Sequence, residues 1–251
     1  DFPVKGPRPL RRYPARPDYA HYHGVLIPGS LNSAYEDEDW IHRLAEEIRY
    51  LNEIKKPLVG VCFGHQLVAH ALGGRVRRNP RGPQRGPQTF RLSLAARQAF
   101  LYQEPGQEKD CGDGGGELSL LHHNNDIVTA LPENLQSCSW KASSQSDEED
   151  QSLSAYSIPM YSIGDHILAS QGHPEFSTPH GRECLKSLLQ KDYTAGNLPG
   201  FQNSLELEKW MEDSITQDPM NCTEAARRWA EQVIKCFLTA AKSPTSEESN
   251  R

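Results

Sequence analysis

At 251 residues, 36% of them hydrophobic, the chain suits one α/β domain with flanking segments and is too polar to be packed throughout. Its net charge of -6 speaks against a nucleic-acid surface, which is ordinarily basic on one face, and no apolar run approaches the ~20 residues that cross a bilayer. Six cysteines at irregular spacing, without C-x-x-C, fit a fold made without disulfides in a reducing, cytoplasmic setting.

Residues 1–18 carry five prolines and read as an irregular lead-in, with a folded domain expected over residues 19–241. Val25-Leu26-Ile27, closed by Pro28-Gly29-Ser30, reads as a buried strand ending in a turn. Residues 37–52 read as a helix: the start is acidic, and Ile41, Leu44, Ile48 and Leu51 recur on one face. Residues 57–61 form a second apolar strand, and a helix follows from Leu67 to Leu72, stopped by Gly73-Gly74. Strand, helix, strand, tight turn and helix in this order predict a parallel sheet with helices on both faces.

Further strands are expected at 90–94, 118–121, 156–158 and 166–170, and a helix at 180–191. A second helix is expected at 223–241, capped by Thr223, with Trp229, Val233, Cys236 and Phe237 on one face. Residues 104–117 and 142–154 read as solvated inserts, and 242–251 as a disordered tail.

The strongest local signal is Gly60-Val61-Cys62-Phe63-Gly64-His65-Gln66. An apolar strand enters, a glycine-flanked cysteine sits at the turn and a helix leaves, which is the layout of a nucleophile elbow. A helix N-terminus behind the sulfur favours negative charge and offers N–H groups to an oxyanion. The alternative is a buried structural thiol at a strand–helix junction.

The second signal is Gly172-His173-Pro174-Glu175, just after the strand at 166–170. A cysteine nucleophile needs a base, and the base needs a carboxylate to fix its tautomer. His173 can be the base and Glu175 its orienting acid. A surface turn is the competing reading of this pair taken alone. Its position after an expected parallel strand, where open α/β sheets keep their sites, favours chemistry.

These two motifs resemble those of the class I glutamine amidotransferase superfamily, in particular stand-alone members similar to the glutaminase part of GMP synthase and the γ-glutamyl peptidases. Leu26 to Ser30 and Tyr35 to Trp40, Ala71 to Val76 with Asn79-Pro80, and Asp126, Val128 and Leu131-Pro132 extend the resemblance. It implies a flavodoxin-like, open and mostly parallel sheet. It implies Cys62 as nucleophile, His173 as base and Glu175 as its partner, an oxyanion hole from the N–H groups of Gly29 and Phe63, and Gln66 in substrate seating. The implied reaction makes a γ-glutamyl thioester on the cysteine, with glutamine or a γ-glutamyl compound as substrate and no cofactor.

Departures from the pattern are local. Gly82-Pro83-Gln84-Arg85-Gly86 stands where relatives have Gly-Trp-Glu-x-Gly, and Asn124 stands at the histidine of a His-x-Asp stretch, with His123 one position off. Relatives also begin with a strand and helix that residues 1–18 do not resemble. The expected sheet therefore lacks its first strand and leaves an open edge at Val25–Ile27 or at the strand before Cys62.

Two other functions compete. One is an amidotransferase-like binding or regulatory module; the other is a different cysteine hydrolase on the same sheet that uses His65 as base. No Gly-x-x-x-x-Gly-Lys loop is present, so any synthetase that uses released ammonia would be a separate subunit. The close pairs His21/His23 and His122/His123 lack the accompanying ligands that a metal site needs.

Overall fold

A computed structural model describes residues 13–91, 117–133, 137–140 and 157–240. Residues 104–116 of the insert expected at 104–117, the insert at 142–154, the tail at 242–251 and the first twelve residues of the lead-in lie outside the described residues, while Glu117 opens a strand.

The central sheet runs β1 (Val25–Ile27), β2 (Leu58–Val61), β9 (Ile167–Ser170), β8 (Met160–Ile163), β7 (Ser137–Trp140) in spatial order. β1, β2 and β9 are parallel, whereas β9–β8 and β8–β7 are antiparallel. The sheet is thus mixed rather than mostly parallel. The reason is local: β8 and β9 are joined by a tight turn at 164–166, where Gly164 has φ 56°, and a link this short can only reverse the chain. Among the described residues β1 pairs only with β2 and forms a sheet edge.

Alternation along β2 feeds both faces. Leu58 joins an apolar cluster with Ile41, Ile48 and Leu51 of α1 (Asp39–Glu53) and Leu67 of α2 (Phe63–Ala71). Val59 and Val61 join the opposite cluster with Leu120 of β5 (Glu117–Asn124), Phe90 of β4 (Gln84–Arg91) and Trp229 of α5 (Cys222–Ala240). Every β2 residue is buried, as expected of a strand covered on both sides. β4 and β5 form one antiparallel ribbon; β3 (Arg75–Arg78) and β6 (Asp126–Ala130) form another beside α2. α3 (Pro179–Thr194) and α4 (Ser204–Met211) enclose a third cluster around Leu185, Leu189 and Leu207.

Several elements differ from expectation. The strand expected at 156–158 lies at Met160–Ile163, after Pro159, because the ladder with β9 needs donors that proline lacks. The helix after Cys62 starts at Phe63 rather than Leu67. Part of the lead-in is ordered: Arg16–His21 is a 3-10 turn whose buried Tyr19 donates its hydroxyl to Glu47 of α1 at 2.9 Å. α5 is capped by Asp218, not Thr223. The Asp218 carboxylate accepts from the N–H groups of Cys222 (2.7 Å) and Thr223 (3.0 Å) and from the Thr223 hydroxyl (2.7 Å).

The contact that seats α2 on the sheet leaves no room for a side chain. A Cβ on Gly64 would lie 2.1 Å from the Ile27 carbonyl oxygen. We expect Gly64→Ala to cost about 1–3 kcal/mol of stability, because backbone rather than a side-chain tip must move. An unchanged urea midpoint would show that α2 can lift from β1 freely.

Candidate active site

The parallel register brings the two sequence signals together. Val61 pairs with Ser170 at the C-terminal ends of β2 and β9, and the Cys62 N–H donates to the Ser170 carbonyl at 2.8 Å. His173 follows only three residues after Ser170, so chain positions 62 and 173 meet at one end of the sheet. Open α/β sheets place their sites at this end.

Cys62 has φ 53° and ψ −106°, a left-handed conformation that a non-glycine residue seldom adopts. Such strain costs on the order of 1–3 kcal/mol and persists only where the surroundings enforce it. Here the strand before it and the helix after it do so, and they turn the side chain out of the sheet end. Cys62 caps α2, and Phe63 is its first residue. The Phe63 N–H is therefore one of the donors that a helix start leaves without an intrahelical acceptor. Among the described residues no backbone carbonyl outside the ladders takes it or the Gly29 N–H. Gly29 adjoins both side chains: a Cβ there would lie 3.1 Å from His173 Cε1 and 3.8 Å from Cys62 Sγ.

His173 Nδ1–H donates to Glu175 Oε1 at 2.7 Å. Pro174 opens a 3-10 turn over Pro174–Ser177, and this turn carries Glu175 back toward the ring. Phe176 stacks on the imidazole at 4.3 Å between centroids. The other nitrogen, Nε2, is buried without a partner of regular hydrogen-bond geometry. Burial pushes the imidazolium down most strongly. The bonds and charges of Cys62 and Glu175 together outweigh that, and His173 is raised to about 9.

The remaining expected residues are placed differently. Gln66 is buried, and its amide nitrogen donates to the Asp126 carbonyl (3.0 Å) and Gln171 Oε1 (2.9 Å). Both amide hydrogens are thus engaged inside the protein, leaving the carbonyl oxygen for any substrate contact. His65 is fully buried, meets the Tyr161 ring at a tilt with centroids 4.8 Å apart and is pushed to about 3, first by burial. A ring held neutral in the core is poorly suited to be the base for Cys62.

The two departures from the family pattern touch each other. Asn124 Nδ2 donates to Gln84 Oε1 at 2.9 Å and to the Asp126 carbonyl at 3.0 Å. Arg85 is locked by Asp192 (2.7 Å) and by the Asn124 carbonyl (2.8 Å), and His123 also meets Asp192 at 3.1 Å. Sequence reasoning missed His122. It is buried, its Nδ1 lies 3.2 Å from Asn124 Oδ1, and its unpartnered Nε2 faces Gly172, where a Cβ would come within 2.9 Å. Only the His122-His123 pair hinted at it.

A mostly apolar groove of about 570 Å³ adjoins the site, lined by Leu26, Pro28, Val61, Glu175 and Trp229 among others. Neither Cys62 nor His173 lines it, so it lies beyond Glu175 rather than over the sulfur. Among the described residues no group of three or more His, Cys, Asp or Glu is placed to hold a metal ion. Nor is any described helix long and apolar enough to cross a membrane.

Comparison with known proteins agrees with this geometry. The family model for glutamine amidotransferase class-I matches residues 11–191. Gamma-glutamyl peptidase 4 of Arabidopsis thaliana is 30% identical over 228 residues, covering 90% of this chain and 77% of the relative. Gamma-glutamyl peptidase 5 of the same plant is 32% identical over 165 residues, covering 66% of this chain but only 58% of the relative. Among solved structures, a glutamine amidotransferase from Methylobacillus flagellatus superposes with a TM-score of 0.64 at 18% identity. It covers 98% of this chain and 84% of that one, which supports the fold. The protein therefore belongs to the class I glutamine amidotransferases, a family of cysteine-dependent amidotransferases and hydrolases.

Proposed function

We propose that the chain hydrolyses γ-glutamyl amides through a thioester on Cys62, with γ-glutamyl peptides as the favoured substrates. The observation that carries this reading is the strained Cys62 facing a histidine whose far nitrogen is tied to Glu175. His173, raised to about 9, already holds the proton that the thiol gives up as sulfur attacks the γ-carbonyl. The tetrahedral oxygen lies against the N–H groups of Gly29 and Phe63. The C–N bond breaks, and His173 passes its proton to the leaving nitrogen. Water then attacks the thioester with His173 as base, which releases a γ-carboxylate and restores the thiol. Similarity to γ-glutamyl peptidases favours a free-standing hydrolase. A separate synthetase that accepts the ammonia is the second reading, supported by likeness to GMP synthases.

Incubation with a γ-glutamyl dipeptide or L-glutamine should release amine or ammonia without a partner, and hydroxylamine should divert the thioester to a γ-glutamyl hydroxamate. Glu175→Gln should fold normally and lose roughly 10²–10⁴-fold in kcat, because an amide can stabilise the wrong imidazole tautomer. Equal rates in Glu175→Gln and the parent would make Glu175 a bystander. Failure to form hydroxamate from either substrate would end the thioester reading.

A further inference from the structure

The loop carrying Gly29 is held by a residue far from it in sequence. The loop spans residues 28–36, between β1 and α1. One end is fixed where the Gly64 N–H donates to the Pro28 carbonyl at 3.2 Å. Within the loop, Glu36 accepts from Asn32 Nδ2 (2.6 Å) and the Ser33 N–H (2.7 Å), which makes it a compact unit. The other attachment is Asp126, the first residue of β6. Its carboxylate accepts the Ser33 hydroxyl at 2.5 Å on one oxygen and the Tyr35 hydroxyl at 3.1 Å on the other.

Asp126 is itself rigidly held. It is 4% exposed, and its carbonyl accepts from Gln66 and Asn124. Gln66 lies one turn into α2, where its N–H donates to the Cys62 carbonyl at 3.0 Å. One residue therefore ties together the helix behind the nucleophile and the loop in front of it. A carboxylate holding two hydroxyls, one on each oxygen, is a directional fastening. Nothing in the proposed reaction uses it.

We propose that Asp126 is a positioning residue whose carboxylate latches the 28–36 loop through Ser33 and Tyr35, so that the Gly29 N–H stays aimed at the developing oxyanion. This inference rests on the thioester reading above. The latch acts on the geometry of the transition state and not on the sulfur, which is set by β2 and α2. Its loss therefore lowers kcat while leaving KM and the direct alkylation of Cys62 alone, since alkylation forms no oxyanion.

The test compares the parent with Ser33→Ala/Tyr35→Phe and with Asp126→Asn, using a γ-glutamyl dipeptide for turnover and iodoacetamide for alkylation. The double variant should lose roughly 10- to 100-fold in kcat at unchanged KM, with an unchanged alkylation rate. Ser33→Thr, which keeps a hydroxyl, should retain most of the activity. The double variant keeps the Asp126 backbone contacts, so it stays informative if Asp126→Asn folds poorly. With an active parent, an unchanged kcat in the double variant overturns the latch alone, and so does an alkylation rate that falls in step with kcat. A parent that turned over neither dipeptide nor glutamine would overturn the thioester reading, and the latch with it.

Discussion

Cys62→Ala will reduce turnover of γ-glutamyl substrates by roughly 10⁴- to 10⁶-fold, and adding His173→Ala to it will cost little more. Non-additivity follows from the chemistry. Without sulfur there is no thioester, so a base poised for the thiol has nothing to activate. Without the base the sulfur must attack unaided, and the leaving nitrogen departs without a proton. Alanine at position 62 retains the Cβ and the enforced backbone of the elbow, so loss of activity will not reflect loss of fold. His173 is raised to about 9, so the ring holds its transferable proton up to that pH, and kcat/KM should fall as pH rises beyond it. Initial rates of amine release across pH, with circular dichroism on each variant, measure all of this. Cys62→Ala retaining more than about a tenth of parental turnover would place the chemistry elsewhere.

How far the site was legible depended on how local its physics is. The elbow shows in sequence because it is made by neighbours: an apolar strand, a cysteine and a glycine whose missing side chain lets α2 approach Ile27. The meeting of Cys62 with His173 was legible because adjacent parallel strands bring their C-terminal ends together. The mixed sheet was not, since β8 looks like any apolar strand until its tight turn to β9 is counted. β3 was missed because Arg75, Arg77 and Arg78 mask it, and only the ladder with β6 makes it a strand. Asp126 illustrates the limit. Ser33 and Tyr35 lie more than ninety residues before it, and no local pattern announces a hydroxyl–carboxylate pair across that distance. The cap on α5 follows the same logic on a smaller scale: Asp218 lies just outside the helix, so Thr223 took its place in the local pattern.

Acid will unfold this protein through two histidines that its core keeps neutral. His65 and His122 are both pushed from 6.5 to about 3, each chiefly by burial. For His122 the nearby His173 adds to the depression and Asn124 opposes it; for His65 the backbone at Ala169 and Ile158 opposes it weakly, although neither ring nitrogen reaches a partner at bonding geometry. A folded-state value below the unfolded one means that the unfolded chain binds the proton first. The stability from these rings is therefore complete above about pH 6.5 and drains away as pH falls toward 3. Each carries on the order of a few kcal/mol, enough together to rival the whole stability of a domain. His173 has the opposite sign: raised to about 9, its contribution is present below 6.5 and lost as pH climbs through 9. These opposing limbs put the greatest stability near neutrality. His65→Phe isolates one limb, because phenylalanine keeps the ring contact with Tyr161 and cannot take a proton. Urea midpoints at pH 7.5, 6 and 4.5 should fall steeply in the parent and about half as steeply in His65→Phe. Parallel losses in the two proteins would move the acid sensitivity away from His65 and onto the carboxylates.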